Sequence, residues 1–515
     1  MKLLKISAIA TLACLLSSSA YAEKTEVAKP KRQLKNNMME VYNTLPVSVD
    51  NFTDAFAKGE LYGRLRMNTF RWDWENEISP LATNGNNKAL GLGGSLIYKT
   101  APLYGVSGTV GMYYSDSPFE GMRDPRDDIS YIKAGKDTIS RYQVRKNGNY
   151  SMAVLAQAYL QYDISKTTFK GGRQIFQSVL TKSNDTKMIP NTFEGYSVDT
   201  KEIPKTRLRA AYFYAQKLRD HTTFHDVITF GDGTVKTDTN NPNWNNNDDA
   251  GVHKGLTYAN FEAAGEDTNH VLIVTDARNK SIEGLQLDMT YTAVPNVISS
   301  LIGEVNYKIA LPGDFSLTPG VRYMYQMDDG GGEIGGATLS GELDSWESGE
   351  SKLGYVDPKS LDSSLWMARL VLKKGALKVQ AGYSAVADKG DIVAPWRGFP
   401  TGGYTRAMAQ YNWRANTKTT AAEVYFDFDK AKLVSGLGVL VRYAMQDFDK
   451  EKQEAGVQAD SNILHIDIRE QIKAVPGLDA KIRIGLVSAD ERDIEAGKAD
   501  IDSYNEYRFE LNYLF

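Results

Sequence analysis

The sequence predicts an all-β fold: a transmembrane antiparallel β-barrel of about 18 strands with long extracellular loops and short periplasmic turns. Apolar and polar residues alternate in segment after segment, so that each segment has one apolar and one polar face. Beyond residues 1–22, no apolar stretch reaches the ~18 residues that a membrane-spanning helix needs. Short and long connections mostly alternate along the chain, which is the asymmetry of outer-membrane barrels.

The composition agrees with this fold. Hydrophobic residues make up 42% of the chain and the formal net charge is −4, values that would also suit a soluble enzyme. The 44 glycines and 29 tyrosines favour the barrel, because tyrosine is enriched where a barrel meets the membrane interface. The nearly neutral charge predicts that no nucleic acid is a partner.

The C-terminal segment shows the alternation most clearly. Its apolar face carries Tyr507, Phe509, Leu511, Tyr513 and Phe515. Its other face is polar apart from Leu514, and on this stretch alone a soluble sandwich remains an alternative. Alternation up to the final residue predicts that this strand closes the barrel against the first strand, near Leu61. An even strand count then needs a weak strand near Val271–Thr275 and a short outer loop at Pro295.

The N-terminal residues predict export through the inner membrane. Two lysines, an apolar run (Ile6–Leu16) and a small-residue site (Ala20–Ala22) make residues 1–22 a signal peptide. Cys14 lies within it and is the only cysteine, so the mature chain would have none; a lipoprotein is the alternative that Cys14 raises. Residues 23–59 form a polar leader, and residues 60–515 form the barrel.

The sequence predicts no catalytic residue, metal or cofactor. Its histidines lie mostly in one loop region, and the spacing of His221 and His225 would suit a metal only on a helix. We therefore expect solvated loop histidines. Runs of Asn, Asp and Gly could bind calcium, but they lack the ordered ligand spacing of calcium loops.

Three segments resemble a known family. Lys170-Gly-Gly-Arg-Gln174, Ser183–Pro190 and Asn191–Gly195 are similar to the third-loop signature of OprD-type outer-membrane porins. This resemblance covers the chain from about Leu61. It implies an 18-stranded channel for small solutes, in which a loop near residues 175–190 folds inward and narrows the pore. The constriction candidates are Asn184, Asp185, Lys187, Pro190, Phe193 and Glu194.

The segment Asp391–Tyr404 also resembles a loop of Opr-type porins. It supplies the second inner-loop candidates Asp391, Trp396, Arg397 and Tyr404. The chain end, Tyr513 and Phe515, looks like the signal that the barrel-assembly machinery reads. Further partners implied by the resemblance are outer-membrane lipid and, in a homotrimer, two further copies of the chain.

Arginines recur on the polar faces of the predicted strands, and a charge there must point into the lumen because facing lipid is costly. The resemblance implies a basic ladder that guides carboxylates. The alternative is that these arginines pair with acids such as Asp288, Glu304, Glu423, Asp427 and Asp467. The ladder candidates are Arg64, Arg66, Arg207, Arg209, Arg322, Arg369, Arg442, Arg469, Arg483 and Arg508.

The predicted function is passive diffusion of small hydrophilic solutes across the outer membrane of a Gram-negative bacterium, with carboxylate-bearing solutes as the favoured class. A non-transport barrel, either an adhesin or a structural protein, is the alternative. A barrel hydrolase would need a Ser/His pair on the lipid-facing wall, whereas the alternation places His465 inside. Acidic loop residues such as Asp388 and Asp391 could still make the entrance attractive to cations.

Overall fold

The computed structural model describes most of the chain. The described residues are 32–35, 39–42, 45–74, 86–126, 138–183, 188–229, 253, 255–339, 341, 354–394, 396, 398–408, 410–452, 459–490 and 503–515. The predicted signal peptide lies outside them.

The strands are β1 (Arg32–Leu34), β2 (Glu40–Tyr42), β3 (Glu60–Trp74), β4 (Asn87–Lys99), β5 (Val106–Asp116), β6 (Met152–Ile164), β7 (Thr167–Gln174), β8 (Thr192–Thr200), β9 (Thr206–Lys217), β10 (Leu272–Asn279), β11 (Leu285–Val294), β12 (Ile298–Tyr307), β13 (Ile309–Leu311), β14 (Phe315–Asp328), β15 (Ser363–Lys374), β16 (Leu377–Val386), β17 (Lys418–Asp427), β18 (Leu437–Asp447), β19 (Ser461–Gln471), β20 (Leu478–Ala489) and β21 (Tyr504–Leu514).

Strands β3 to β21 form one closed antiparallel barrel of 18 strands, in which β21 pairs with β3. The segments β12 and β13 count as one strand, because both pair with β14 and only Lys308 separates them. The predicted strand number is confirmed. Strand β10 is the weak strand expected near Val271–Thr275, and residues 295–297 are the short connection expected at Pro295.

The helices are short and lie in the leader and the loops. They are α1 (Phe52–Ala57), α2 (Arg141–Asn147), α3 (Tyr258–Ala264) and α4 (Gly331–Gly335), with one 3₁₀ turn at Glu120–Met122. Each of the first three helices begins after an N-cap residue whose side chain accepts a hydrogen bond from a backbone N–H of the first turn. These N-cap residues are Asn51, Ser140 and Thr257. In the part of the chain that the structure describes, no helix is long and apolar enough to cross a membrane.

The closing pair, β3 and β21, shows how alternation separates lipid from lumen. Leu65 and Tyr513 pair with each other and are both exposed on the outer face. Arg66 and Asn512, also directly opposite each other, are buried on the inner face. Because neighbouring side chains point to opposite sides of a strand, the polar set lines the lumen as the sequence predicts.

The chain end is fixed to the first strand. The backbone groups of Phe515 and Gly63 exchange two hydrogen bonds of 3.1 Å each. A Cβ atom at Gly63 would lie 2.4 Å from Cζ of Phe515, so only glycine leaves room for the terminal ring. Leu514, the apolar exception on the polar face, is buried against Leu34 of the leader.

Loops that fold into the barrel build its main apolar core. An 18-stranded barrel is wider than its own inward side chains can fill, so its lumen has room for water and for segments that fold inward. Inward residues such as Phe213 and Met324 form one buried cluster with Leu180, Leu256 and Trp413, which lie in loops. This packing positions the loops that define the candidate site.

Candidate functional site at the pore constriction

The third loop, residues 175–191 between β7 and β8, is held against the lumen wall. The Ser178 hydroxyl donates to Asp276 Oδ1 (2.6 Å), and Arg209 Nη2 donates to Asp276 Oδ2 (2.6 Å). Phe176 and Leu180 are buried in the main core. One carboxylate therefore ties this loop to the wall and to an arginine of β9.

The predicted constriction residues divide into three groups. Asn184, Asp185 and Lys187 lie outside the described residues. Pro190 is buried within the third loop. Phe193 and Glu194 belong to strand β8, so their assignment to the loop was wrong. Phe193 stacks on Phe213 with ring centroids 4.9 Å apart, and Glu194 pairs with Arg173 at 3.0 Å, which is strand-to-strand packing.

A second inner loop, residues 387–417 between β16 and β17, contacts the lumen wall from β14 to β20. Near its start, Gln326 of β14 donates to the Asp391 carbonyl (2.8 Å) and accepts from the Val393 N–H (2.8 Å). Near its end, Met408 packs so closely on β20 that a Cβ at Gly485 would lie 2.2 Å from Met408 Cε. This loop therefore lies inside the barrel, against the wall between β14 and β20.

Asp391 is a structural tie within these loops rather than an acid at the entrance. It is fully buried, and its carboxylate accepts bonds from Leu339 N (2.9 Å), the Tyr355 hydroxyl (2.9 Å) and Ala415 N (2.7 Å). Arg414 lies 3.4 Å away as a counter-charge. The expectation that Asp391 attracts cations at the mouth was wrong, because its carboxylate is buried, bonded to these three donors and paired with Arg414.

The two inner loops touch each other directly. The Trp396 carbonyl accepts a bond from Asn191 Nδ2 (3.0 Å), and Trp396 itself is buried. A Cβ atom at Gly398 would lie 2.3 Å from Leu180 Cα, so the backbones meet where only glycine fits. Arg397 lies outside the described residues. The third loop and the second inner loop thus pack against each other inside the barrel.

Two wall arginines support the second inner loop. Arg322 Nη1 donates to the Pro400 carbonyl (2.8 Å), and Arg369 Nη1 donates to the Gly403 carbonyl (2.9 Å). Both also bind Glu304, at 2.6 and 3.1 Å. Tyr404 packs on both guanidinium groups, which lie 4.8 and 4.4 Å from its ring centroid. These arginines fix the loop backbone while remaining paired with one acid.

The same arrangement recurs on the neighbouring part of the wall, in β17, β18 and β20. Arg442 Nε donates to Glu423 Oε2 (2.9 Å) and Arg442 Nη1 to the Arg406 carbonyl (2.8 Å). Arg483 binds Asp467 at 2.6 and 2.7 Å. His465, predicted to face the lumen, lies 2.9 Å from the same Asp467 carboxylate.

The remaining arginines of the predicted ladder also have acceptors on the wall. Arg66 lies 3.7 Å from Glu510, and Arg64 donates to Asn512 Oδ1 at 3.0 and 2.8 Å. The other pairs are Arg207–Asp199, Arg209–Asp276, Arg469–Asp479 and Arg508–Glu506. These contacts favour the alternative in which acids neutralise the wall arginines.

Two cations on the inner loops have a different environment. Lys182, in the third loop, has no hydrogen-bonding or ion-pairing partner among the described residues, and its Nζ lies 4.0 Å from where a Gly402 Cβ would be. Arg406, in the second inner loop, lies 3.4 Å over the Phe399 ring, and its Nη2 donates to the Met408 carbonyl (3.3 Å), its one hydrogen-bond acceptor among the described residues. We call Lys182 and Arg406 the inner-loop cations.

Burial and the positive charge of Arg322 lower the pKa of Lys182 to about 8. Glu304 opposes this shift, but Arg369 and Arg406 add to it. Among the described groups that shift this pKa most, three are positive and one is negative. Burial also lowers the pKa of Arg406, although a guanidinium stays protonated at neutral pH.

The inner-loop cations were not among the residues predicted from the sequence. The strand alternation led to arginines on the wall, whereas loop residues have no period that reveals their direction. Lys182 does lie inside the predicted constriction loop, and Arg406 lies two residues beyond the quoted second segment. The feature of the sequence that could have indicated these two residues is that both lie close to the segments that resemble OprD-type porins.

The histidines contribute no metal site among the described residues, where no group of three or more candidate ligands occurs. His221 and His225 are buried rather than solvated, and their Nδ1 and Nε2 atoms lie 2.7 Å apart. The expectation of solvated side chains was wrong because the loop that carries them folds over the barrel. His225 Nδ1 lies close to the carbonyls of Asp226 and Thr229 (2.7 and 3.0 Å).

A closed barrel with lipid-facing apolar side chains and with loops packed inside its lumen has the architecture of an outer-membrane channel. The model of the OprD family, described as outer membrane porin, matches residues 133–514. The chain belongs to the OprD family of outer-membrane porins, which is also what the third-loop resemblance implied.

Solved structures show the same fold at low sequence identity. Pseudomonas aeruginosa OccK9 (OpdG) is 14% identical, with a TM-score of 0.63 over 90% of this chain and 99% of that chain. Acinetobacter baumannii OccAB1 is 14% identical, with a TM-score of 0.64 over 90% and 97%. Pseudomonas aeruginosa OpdK, solved with vanillate, is 14% identical, with a TM-score of 0.60 over 89% and 99%. A search of curated proteins finds no match.

Proposed function

We propose that this porin is a passive channel that favours small carboxylate-bearing solutes and selects them at the constriction between the third loop and the second inner loop. The observation that carries the proposal is that Lys182 has no hydrogen-bonding or ion-pairing partner among the described residues. Arg322 and Arg369, which share the Glu304 carboxylate, act on it electrostatically. A solute carboxylate would supply the missing negative charge. In a narrow pore that excludes much of the water, such an attraction is stronger than in bulk solution.

The wall arginines have an indirect role in this proposal. Their pairing with acids reduces the attraction that they exert on a solute, while their contacts with Pro400, Gly403 and Arg406 hold the second inner loop. We therefore assign solute attraction mainly to the inner-loop cations and positioning mainly to the wall. This revises the basic ladder that the family resemblance implied.

The family supports a diffusion channel and gives no reason to expect catalysis, so we propose that transport involves no chemical step. The relative OpdK was solved with vanillate, a carboxylate, which agrees with the proposed solute class. We further propose that Tyr513 and Phe515 serve as the assembly signal and that the chain assembles as a homotrimer. Heat-modifiable migration and cross-linking in native membranes would test these two points.

The test of the proposed function is a comparison of two solutes of similar size and different charge. Purified protein in liposomes should pass benzoate faster than benzamide at low salt, and the preference should diminish in high salt. Protein in planar bilayers should also conduct. A chain that forms intact barrels but conducts no ions would support a non-transport barrel, and equal fluxes of both solutes would remove the carboxylate preference.

A further inference from the structure

The leader places a small hairpin inside the periplasmic end of the barrel. Strands β1 and β2 pair antiparallel, with Arg32 opposite Tyr42 and Leu34 opposite Glu40. Among the described wall residues that contact this hairpin, Tyr62, Arg469 and Leu514 lie near the periplasmic ends of their strands. We call the pair β1 and β2 the leader hairpin.

Four contacts fix the first strand of the leader hairpin. Leu34 is buried and packs on Leu514, the apolar residue on the inner face of β21. The Leu34 carbonyl accepts a buried hydrogen bond of 2.7 Å from Arg469 Nη2. Arg32 Nη1 donates to the Phe515 carbonyl, and its guanidinium lies 4.1 Å over the Tyr62 ring.

The second strand reaches the neighbouring part of the wall. The rings of Tyr42 and Tyr62 lie 4.5 Å apart, and Tyr42 packs on the apolar cluster that contains Ile97 and Tyr113. That cluster also contains Met188 of the third loop. The leader hairpin therefore contacts β3, β19 and β21 at the exit and shares an apolar cluster with the constriction.

The leader is also attached at the barrel rim. Val49 N donates to the Pro102 carbonyl (2.9 Å), and Ala101 N donates to the Ala55 carbonyl of α1 (2.8 Å). The Tyr98 hydroxyl donates to the Phe56 carbonyl (2.5 Å). The segment after the hairpin is thus held at the turn between β4 and β5. The hairpin is therefore positioned both by its own contacts with the wall and by the attachment of the segment that follows it.

We propose that the leader hairpin is a second selectivity element, which narrows the periplasmic exit in series with the inner-loop constriction. Arg469 acts as a positioning residue for it: the arginine is held by Asp479 at 2.8 Å and presents its Nη2 to the Leu34 carbonyl. The guanidinium of Arg469 therefore binds Asp479 and the hairpin and is not directed at passing solutes. This inference rests on the channel function but is independent of the carboxylate preference.

The test uses two neighbouring substitutions in the full-length protein. Leu34→Asp places a carboxylate in the Leu514 contact and should release the hairpin, because a buried unpaired charge is strongly unfavourable. Gln33→Asp makes the same charge change at an exposed neighbour and is the matched control. Single-channel recordings should show higher conductance and passage of larger neutral solutes for Leu34→Asp only.

A second measurement keeps the test decisive if Leu34→Asp assembles poorly. In the cysteine-free mature chain, Leu34→Cys combined with Leu514→Cys should react with a short bifunctional maleimide to link the two chain ends in the folded barrel. Absence of the link in folded protein, or equal conductance of Leu34→Asp and Gln33→Asp, would overturn the proposal. A parent chain that conducts no ions would instead refute the channel function.

Discussion

Replacement of Lys182 by glutamine should remove most of the carboxylate preference. A unit charge at ~5 Å interacts with a passing carboxylate by about 1 kcal/mol at the permittivity of water and about 3 kcal/mol at an effective value of ~20. The value for water is the minimum effect for the partly buried Lys182, and it corresponds to roughly a fivefold change in carboxylate occupancy. No partner among the described residues loses a bond, so the fold should be unaffected.

The assay is the ratio of benzoate to benzamide flux through liposomes that contain equal amounts of assembled protein. The ratio should fall by roughly fivefold at low ionic strength and change little at about 1 M salt, where the screening length is ~3 Å. Lys389→Gln, a change at an exposed lysine of the second inner loop, is the control and should leave the ratio unchanged. An unchanged ratio in Lys182→Gln, or an equal loss of both fluxes, would refute the assignment of solute attraction to Lys182.

Three further outcomes are expected. Because the pKa of Lys182 is lowered to about 8, its positive charge is present below that pH and is lost above it; benzoate preference of the parent should therefore fall between pH 7 and 9, whereas Lys182→Gln should show no such fall. Asp391→Asn should loosen the inner loops, because an amide has one acceptor oxygen and cannot accept all the hydrogen bonds that the carboxylate accepts. The loss should lower the stability of the loops by about 3–5 kcal/mol. Faster hydrogen exchange in the loops and noisier conductance would show this loss, and parent-like values would contradict it. Deletion of Phe515 should lower the yield of heat-modifiable barrel, because it removes the two hydrogen bonds to Gly63, whereas Phe515→Tyr should retain the yield; normal yield after the deletion would remove the terminal residue from assembly.

The barrel itself could be predicted from the sequence because strand alternation reports directly which side chains face lipid. Tyr513 and Leu65 lie outside and Arg66 lies inside, as their positions in the alternation required. The strand count depended on two weak features, near Val271–Thr275 and at Pro295, and both correspond to observed elements. The penalty for placing polar groups in lipid makes this pattern strict.

The candidate site could be predicted only in outline. The family motifs located the two inner loops, but the position of an individual loop side chain depends on contacts between segments that are distant in sequence. Asp391 was expected at the entrance and lies buried beneath Leu339 and Ala415. Phe193 and Glu194 were assigned to the loop, but β8 begins before them, at Thr192.

The wall arginines show a second limit of sequence reasoning. Alternation predicts that Arg322 and Arg369 point inward, but it does not reveal that Glu304 of β12 lies between them. Pairing across strands depends on register, and register is fixed by the whole sheet. The sequence therefore left the ladder and the paired arrangement as alternatives, and the contacts favour the paired arrangement.

The most direct test of the proposed selectivity is the zero-current potential of two double variants in the same KCl gradient. Lys182→Gln with Arg406→Gln removes the inner-loop cations, whereas Arg64→Gln with Arg66→Gln removes two wall arginines that Asn512 and Glu510 bind. The first variant should shift the potential toward cation preference by clearly more than the second, and the difference should shrink as the ionic strength rises. A larger shift in the wall variant, or no shift in the inner-loop variant, would contradict the assignment of selectivity to the inner loops.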